Sequence, residues 1–260
     1  MNETSSDFIY STEQYALLLM TIVISSQSEN LRKYLYFLSW MLIMNHFQLA
    51  IANKNYSSWS LRAWLALTHF QIPFEEKLIA LDQIDTQQNI KQVSPSGFVP
   101  ALKVNNQFTV WDSLAICEFL AEIFPEKALW PLDPKTRAWA RSISHEMHSG
   151  FQALRQHLPM KCHLVVNEFD YSVAARDIER IQSLWMECLE AHHQKGPYLF
   201  GAFSIADCMY APVILRFRSY AVPLKGLNRN YSETMIAHPA LQQWLQDASK
   251  ESWRLASHGD

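Results

Sequence analysis

Apolar and polar residues follow two different patterns along this chain, and the pattern changes near residue 130. Before that point, short apolar runs typical of strands alternate with stretches of helical period. Beyond it, apolar residues recur at helical spacing and no convincing strand pattern is present. The sequence therefore predicts an α/β domain followed by an all-α domain, a helical bundle. The strands predicted in the first domain are Phe47–Ala52, a segment that opens after Ile72 and ends at Ile79, Val99–Val104 and Gln107–Val110.

Helical segments separate these strands in the order βαβαββα, which is the thioredoxin-like arrangement. The first two strands are joined by a crossover and are therefore predicted to be parallel. The last two are joined by Asn105-Asn106, a two-residue hairpin signal. The three helices are predicted to begin at Ser57 or Ser58, to span Gln83–Val93, and to begin at Asp112 or Ser113.

The second domain contains two long helical patterns, Thr136–His157 and Ser172–His193, which imply an antiparallel bundle. A third helix is predicted to open at Ser204 and to run through Phe217. Ser204 and Asp207 have the spacing of a capping box, in which each side chain bonds the other residue's backbone N–H. We interpret Asp207 as a folding element and leave it out of the catalytic candidates.

The first residues of the chain do not share the patterns that follow. Two apolar runs, Tyr15–Ser25 and Leu35–Met44, are each about 10 residues long, whereas about 20 are needed to cross a bilayer as a helix. No basic residue precedes the first run, as a signal peptide would require. We interpret this segment as a leader outside the fold, with a membrane-associating hairpin as the alternative. The predicted divisions are a leader at 1–44, a thioredoxin-like domain at 45–126, a linker at 127–134 and a helical domain at 135–260.

Composition adds a few limits. Of the 260 residues, 49% are hydrophobic, which is enough for a sizeable core, and the net charge of −3 gives no reason to expect nucleic acid. The four cysteines stand alone, without a Cys-x-x-Cys pair, so we predict free thiols in a reducing compartment, the cytoplasm. A metal site is not predicted, because His145-Glu146-Met147-His148 lacks zinc-protease spacing and a third ligand.

The candidate chemistry centres on Pro100 and on the helix start at Ser113. Proline removes a ladder donor, so Pro100 must stand at the first residue of its strand or follow a cis bond. A cis bond would turn the backbone of Val99 away from the sheet and toward a peptide ligand. Ser113 offers a hydroxyl and the first N–H groups of a helix, which suit a carboxylate. Together these features indicate a small acidic peptide as the ligand.

The same residues carry a family resemblance. Ser-Pro-Ser-Gly-Phe-Val-Pro-Ala-Leu at 94–102, followed by Asp-Ser-Leu-Ala-Ile at 112–116, resembles the glutathione-site signature of cytosolic glutathione S-transferases. Both halves are present, in order and at the family's spacing. The resemblance covers about Phe47 to Trp253, and it implies glutathione as co-substrate and a homodimeric protein.

The resemblance also implies roles for individual residues. Val99 would bond the cysteinyl backbone of glutathione, Pro100 would be the cis-proline, and Asp112 and Ser113 would hold the γ-glutamyl end. One position departs from the family pattern. Phe98 stands where family members often carry Lys or Gln, which reach the glycyl end of glutathione.

The serines at the start of the first helix have two interpretations. A serine there caps the helix by accepting a backbone N–H. A hydroxyl at a helix N-terminus can also donate to a bound thiolate and lower its pKa. The Ser-Ser-x-Ser-x-x-Arg arrangement is similar to the zeta and theta-like branch of the family, which activates glutathione with serine. Ser58 is the favoured donor, Ser57 is second, and Asn55 is a further candidate for contact with glutathione.

The acceptor substrate is expected between the domains, on a wall built by the long helices. The resemblance implies transfer of glutathione to a small aromatic or anionic electrophile. A zeta-like glutathione-dependent isomerase and a non-catalytic scaffold are the alternatives. Arg216 and Arg218 follow an apolar run, so that either one of them binds an anionic acceptor or both lie on the surface. The candidate acceptor-binding residues are Met147, His148, Phe151, Arg155 and Arg216.

Overall fold

The computed structural model describes Glu29 and residues 46–255. The predictions for the leader at 1–44 therefore lie outside the described residues, with Glu29 as the exception. Within the described part of the chain, no helix combines the length and the apolar character needed to cross a membrane.

A four-stranded mixed sheet forms the first part of the fold, with strand order β2-β1-β3-β4. Strand β1 pairs parallel with β2, as the predicted crossover requires, and antiparallel with β3, where Leu49 lies opposite Leu102. Asn105 and Asn106 both have positive φ, 49° and 59°, which is the conformation of a type I′ hairpin turn. The strands are β1 Phe47–Ala52, β2 Glu75–Ile79, β3 Ala101–Val104 and β4 Phe108–Val110.

Three helices belong to this sheet, and the first and third begin at their predicted residues. Ser57 caps α1 and Asp112 caps α3, because their side chains accept backbone N–H groups of the first turn. The second helix starts later than predicted, at Thr86, because the Thr86 hydroxyl joins the preceding turn by accepting from the Gln83 N–H and donating to the Ala80 carbonyl. The helices are α1 Ser58–His69, α2 Thr86–Val93 and α3 Ser113–Ile123.

The second part of the fold is helical in the described residues. The predicted single helix Thr136–His157 is wrong, because the chain breaks at Gly150 and Phe151 into two helices. A Cβ at position 150 would lie 2.8 Å from the Glu146 carbonyl oxygen, and Phe151 has a φ of 59°. The helices are α4 Pro134–Ser149, α5 Gln152–His157, α6 Ala175–His192, α7 Ile205–Ser219, α8 Gly226–Ala237 and α9 Pro239–Ser249.

Helix α7 lies at the centre of the molecule and is buried along almost its whole length. It packs against α1 of the first domain and α4 of the second. Its predicted capping box is confirmed, since the Asp207 carboxylate accepts from the Ser204 N–H at 2.8 Å. One apolar core, which includes Leu65 of α1 and Ile214 of α7, therefore spans both domains and holds the cleft between them in place.

Candidate functional site

A cleft of about 340 Å³ lies where the start of α1, the loop before β3 and the end of α5 meet α7. It is open to solvent on the side of Phe98, whose side chain is 76% exposed. The lining residues are Ala52, Tyr56, Ser57, Ser58, Trp59, Leu81, Gln87, Ile90, Gly97, Phe98, Val99, Arg155, Pro159, Met160 and Arg216.

One wall of the cleft is the segment that leads into β3. The Val99-Pro100 peptide bond is cis. Val99 lines the cleft, and the ladder with β1 ends at Ala101, opposite Ala50. Pro100 therefore stands one residue before the strand, which removes the conflict between a proline and a paired strand.

Asp112 and Ser113 lie at the N-terminus of α3. Asp112 Oδ1 accepts from the Leu114 N–H at 3.0 Å, and its Oδ2 lies 3.0 Å from His148 Nε2. Ser113 has no exposed surface, and its hydroxyl oxygen has no hydrogen-bond partner among the described residues. The described residues therefore leave the hydrogen bonding of this buried hydroxyl incomplete, and neither Asp112 nor Ser113 is among the residues that line the cleft.

The two serines of α1 differ in how their hydroxyl groups are used. The Ser57 hydroxyl donates to Ser60 Oγ at 2.7 Å and accepts from the Ser60 N–H, so it is committed to the helix cap. Ser58 Oγ accepts from Arg216 Nη2 at 3.2 Å, and no described group accepts the Ser58 hydroxyl hydrogen. Ser58 is therefore the serine with a free donor beside the cleft.

Three arginines surround Trp59 and Ser58, and we call Arg62, Arg155 and Arg216 the arginine cluster. The guanidinium carbon of Arg62 lies 4.4 Å from the Trp59 ring centroid, and that of Arg155 lies 4.8 Å from it. Arg62 has no exposed surface, and all three of its guanidinium nitrogens lack a hydrogen-bond partner among the described residues. Both contacts have the geometry of cation–π interactions.

Burial weakens the hold of these arginines on their protons. Burial first, and then the charge of Arg155, lowers the pKa of Arg216 to about 9. Burial, with the charges of Arg155 and Arg216, holds the pKa of Arg62 well below its usual range. Because like charges in a low-dielectric region repel strongly, this side of the cleft favours an anion.

The comparisons with known proteins agree with this geometry. Family models of the glutathione S-transferase N-terminal and C-terminal domains match residues 56–123 and 146–247. A probable maleylacetoacetate isomerase from Caenorhabditis elegans is 31% identical over 189 residues, covering 70% of this chain and 85% of that protein. The chain belongs to the glutathione S-transferase family.

Further relatives support the same fold. Rat maleylacetoacetate isomerase is 32% identical over 173 residues, covering 64% of this chain and 76% of that protein. A glutathione transferase homologue from Burkholderia, solved with bound glutathione, superposes with a TM-score of 0.60 at 26% identity, covering 80% of this chain and 99% of the other. The predicted fold class, a thioredoxin-like domain followed by a helical domain, is confirmed.

Asn55 does not lie where the glutathione S-transferase resemblance led us to expect a ligand contact. It is buried, and its Nδ2 donates to the Ala248 carbonyl at 2.6 Å and to Glu251. Its Oδ1 lies 3.1 Å from His163 Nδ1. Nδ2 therefore joins the first domain to α9 and the residues after it, and Oδ1 joins it to the loop after α5. Asn55 is not among the residues that line the cleft, and its binding of glutathione stays a prediction.

The candidate acceptor-binding residues fall into two groups, those that are buried in the core and those that lie at or near the cleft. Met147 has no exposed surface and Phe151 is buried in the same core, so neither side chain forms a wall of the cleft. Arg155 lines the cleft, held by its Nε, which donates to the Gly150 carbonyl at 2.9 Å. His148 packs edge-on against Trp59 at 5.2 Å and reaches Asp112. Arg216 lines the cleft as well, with bonds that are described below.

Trp59 and Arg62 belong to the site, although no sequence pattern predicts either of them as a site residue. Trp59 directly follows the two serines and lies with Ser58 in the first turn of α1, so its position next to the serines could have indicated a place in the site. Arg62 is the arginine of the Ser-Ser-x-Ser-x-x-Arg arrangement, and nothing in its spacing reveals that the guanidinium is buried. Among the described residues, no three His, Cys, Asp or Glu side chains are grouped in a way that could hold a metal ion.

Proposed function

We propose that this protein binds glutathione in the cleft and activates its thiol for attack on a small electrophile held between the domains. The observation that carries the proposal is the Ser58 hydroxyl, which stands at the N-terminus of α1 with its hydrogen free, beside the cis Val99-Pro100 edge. A hydroxyl donor and a helix N-terminus both stabilise a thiolate and thus lower the pKa of a bound thiol.

In this proposal, glutathione lies along the loop before β3. The backbone of Val99 would pair with the cysteinyl residue, and the γ-glutamyl carboxylate would bind at the α3 N-terminus, where the Ser113 hydroxyl lacks a partner. Asp112 would take the γ-glutamyl ammonium, because its carboxylate is exposed and is shared with His148 alone outside its own helix cap. The thiol would then lie near Ser58.

The acceptor would lie against Trp59, with Arg155 and His148 beside it. An aromatic or anionic electrophile fits a wall made of an indole ring and a guanidinium group. A glutathione-dependent isomerase is a second candidate, because the relatives from Caenorhabditis elegans and rat carry the name maleylacetoacetate isomerase. Such an isomerase would add the thiol to a cis double bond, allow rotation and release the same thiol.

Retention on immobilised glutathione and turnover of a generic aryl halide test the proposal together. Assay of a cis-diketo acid under the same conditions separates transfer from isomerisation. In the active protein, Ser58→Ala should shift the rate profile and the thiolate absorbance to higher pH with little change in glutathione affinity. Ser57→Ala is the matched control and should mainly cost about 1 kcal/mol of cap stability. Retention without turnover would favour the non-catalytic scaffold.

We also propose that the protein is a cytoplasmic homodimer. A groove of about 780 Å³ runs along the outer face of α3 and the start of α4, away from the cleft. Leu132 on its rim is 76% exposed, and Arg141 and Glu118 form an ion pair within it. This mixture of apolar and charged groups would suit a second copy of the chain. Light scattering should show a dimer, and Leu132→Asp should shift it toward the monomer.

A further inference from the structure

The guanidinium group of Arg216 is bonded to the protein rather than presented freely to the cleft. Nε donates to the Leu158 carbonyl at 2.9 Å and Nη1 donates to the Pro212 carbonyl at 3.3 Å. Nη2 donates to Ser58 Oγ at 3.2 Å. Arg216 lies on α7 of the helical domain and Ser58 starts α1 of the first domain, so this last bond crosses between the domains.

All of these acceptors are neutral, so the charge of Arg216 stays uncompensated. Among the described residues, no carboxylate forms an ion pair with Arg216, although its side chain is only 4% exposed. Arg141 shows the contrast, because its guanidinium is exposed and bonds Glu118 through two nitrogens. A buried cation without a counter-ion produces a strong positive potential at the groups that touch it.

The bond to Arg216 also determines what the Ser58 hydroxyl can do. Since the oxygen accepts from a guanidinium, the hydroxyl hydrogen must point away from Arg216. No described group accepts that hydrogen, and Ser58 lines the cleft. A hydroxyl that accepts a charge-assisted hydrogen bond becomes a stronger donor, because hydrogen bonds in a chain polarise one another.

We infer that Arg216 is a positioning residue: it orients the Ser58 hydroxyl toward the cleft and, by its charge, favours a thiolate over a thiol beside Ser58. The inference rests on the proposed function only in taking the natural thiol to be that of glutathione. In this step the thiol proton passes to solvent, the sulfur keeps the electron pair, and Ser58 donates to the sulfur without itself losing a proton.

Other charged groups also face this position. Arg62 lies on the same helix, Arg155 lies on α5 and stacks on the Trp59 ring, and His148, which pairs with Asp112, packs edge-on against the same ring. Arg216 is distinguished from all of them by direct contact with Ser58. An experiment must therefore change Arg216 while the other groups stay in place.

Ser58→Cys provides a direct probe that needs no glutathione. The pH dependence of alkylation by iodoacetamide gives the pKa of the introduced thiol. Burial raises the pKa of Cys117, Cys162 and Cys188 to about 12 and holds the pKa of Cys208 well above its usual range, so these native thiols stay unreactive near neutral pH. The introduced thiol should titrate at least about one pH unit below the usual value of about 8.5.

Variants at position 216 then test the cause. Added to Ser58→Cys, Arg216→Gln should raise the pKa of the introduced thiol by about one unit or more, and Arg216→Lys, which keeps the charge, should raise it less. Arg218→Gln is the matched control on the same helix, since Arg218 is exposed, and it should leave the pKa unchanged.

Two results would overturn the inference. One is an introduced thiol that titrates at or above about 8.5 with Arg216 intact, and this measurement decides even if Arg216→Gln does not fold. The other is a pKa that Arg216→Gln and Arg218→Gln move equally. Because the probe contains no glutathione, a protein that neither binds nor turns over glutathione would refute the proposed function while the thiol titration still tests Arg216.

Discussion

At two places among the described residues, a buried cation lies against a tryptophan ring. The charge of the cation is neutralised by carboxylates at one place and is left unpaired at the other. Lys54 lies 5.0 Å from the centroid of Trp64 and 5.5 Å from that of Trp244, and its Nζ is within 3.0 Å of both Glu76 and Asp247. We call these five residues the Lys54 clasp. In the arginine cluster, the guanidinium carbons of Arg62 and Arg155 lie 4.4 Å and 4.8 Å from the Trp59 ring centroid, and no described carboxylate pairs with Arg62 or Arg216.

The two places also differ in what surrounds the cation. In the Lys54 clasp, the indole N–H of Trp64 donates to Glu76 at 2.7 Å and that of Trp244 donates to the Lys54 carbonyl at 2.9 Å. Every polar group named in the Lys54 clasp has a hydrogen-bond or ion-pair partner. Buried polar groups whose role is only to join two domains are expected to be fully bonded in this way. In the arginine cluster, by contrast, the guanidinium nitrogens of Arg62 lack partners among the described residues although this side chain has no exposed surface.

The largest effect should follow from removing the cation of the clasp. Lys54→Met leaves Glu76 without the cation it pairs with and leaves Asp247 with the exposed Lys250 alone, so we expect a loss of about 3 kcal/mol in the free energy of unfolding. Urea denaturation measures it. Lys250→Met is the matched control, because Lys250 also pairs with Asp247 but is exposed, and it should cost about 0.5 kcal/mol. Equal losses would mean that the clasp contributes no more than a surface ion pair.

On the cleft side, the expected effect appears in ligand binding rather than in stability. The Ser113 hydroxyl has no hydrogen-bond partner among the described residues, so Ser113→Ala should leave thermal stability nearly unchanged. It should weaken glutathione binding by about tenfold or more, because a hydrogen bond to a carboxylate is worth about 1.5–3 kcal/mol. Calorimetry gives the affinity. Unchanged affinity would place the γ-glutamyl group elsewhere.

Local patterns were sufficient for most of the first domain. The apolar run Phe47–Ala52, the Asn105-Asn106 turn and the caps at Ser57 and Asp112 each act over a few residues, and all of them recur in the structure. The break at Gly150 was missed because the helical period of the side chains continues on both sides of it, whereas the cause is a backbone conformation.

Contacts between distant residues could not be predicted in the same way. Lys54 meets Asp247 across 193 positions, and Arg216 meets Ser58 across 158. The helical pattern that contains Met147 does not reveal whether the apolar face of the helix points into the core or into a cleft. In the structure, the Met147 side chain lies in the core. The chemistry of the serines was accessible from the sequence, but the group that orients Ser58 was not.

A contact between α1 and the start of α9, formed by His69 and His238, should depend on pH. It adds a neutral pair to compare with the arginine cluster. His69 Nδ1 lies 2.8 Å from His238 Nε2, and His238 Nδ1 accepts from the Ala240 N–H, so the pair is bonded with both rings neutral. Burial first, and then the proximity of His238, lowers the pKa of His69 to about 4. The unfolded chain, with a pKa of about 6.5, binds the proton more readily.

The pair should therefore stabilise the fold fully above about pH 6.5, and this stability should be lost as the pH falls toward about 4. Because His69 is only partly buried, we expect a contribution of about 1–2 kcal/mol. Urea denaturation at several pH values measures it. His69→Phe keeps a ring against Phe203 and should flatten this part of the pH dependence. An identical slope in the variant would show that carboxylates alone are responsible.

The smallest expected change in the free energy of unfolding is that of Arg62→Met, and it gives the most direct comparison of Arg62 with Lys54. Arg62→Met removes a charge that has no described partner, so the variant loses the contact with Trp59, worth about 1–2 kcal/mol, but it also removes the cost of a buried uncompensated cation. The two terms nearly cancel, and we expect the free energy of unfolding to stay within about 1 kcal/mol of the parent value, or to rise. Lys54→Met, measured in the same urea series, should fall well below it. If Arg62→Met instead destabilised the protein as much as Lys54→Met, Arg62 would be a paired structural cation like Lys54. The proposed difference between the neutralised charge of the Lys54 clasp and the unpaired charge of the arginine cluster would then be wrong.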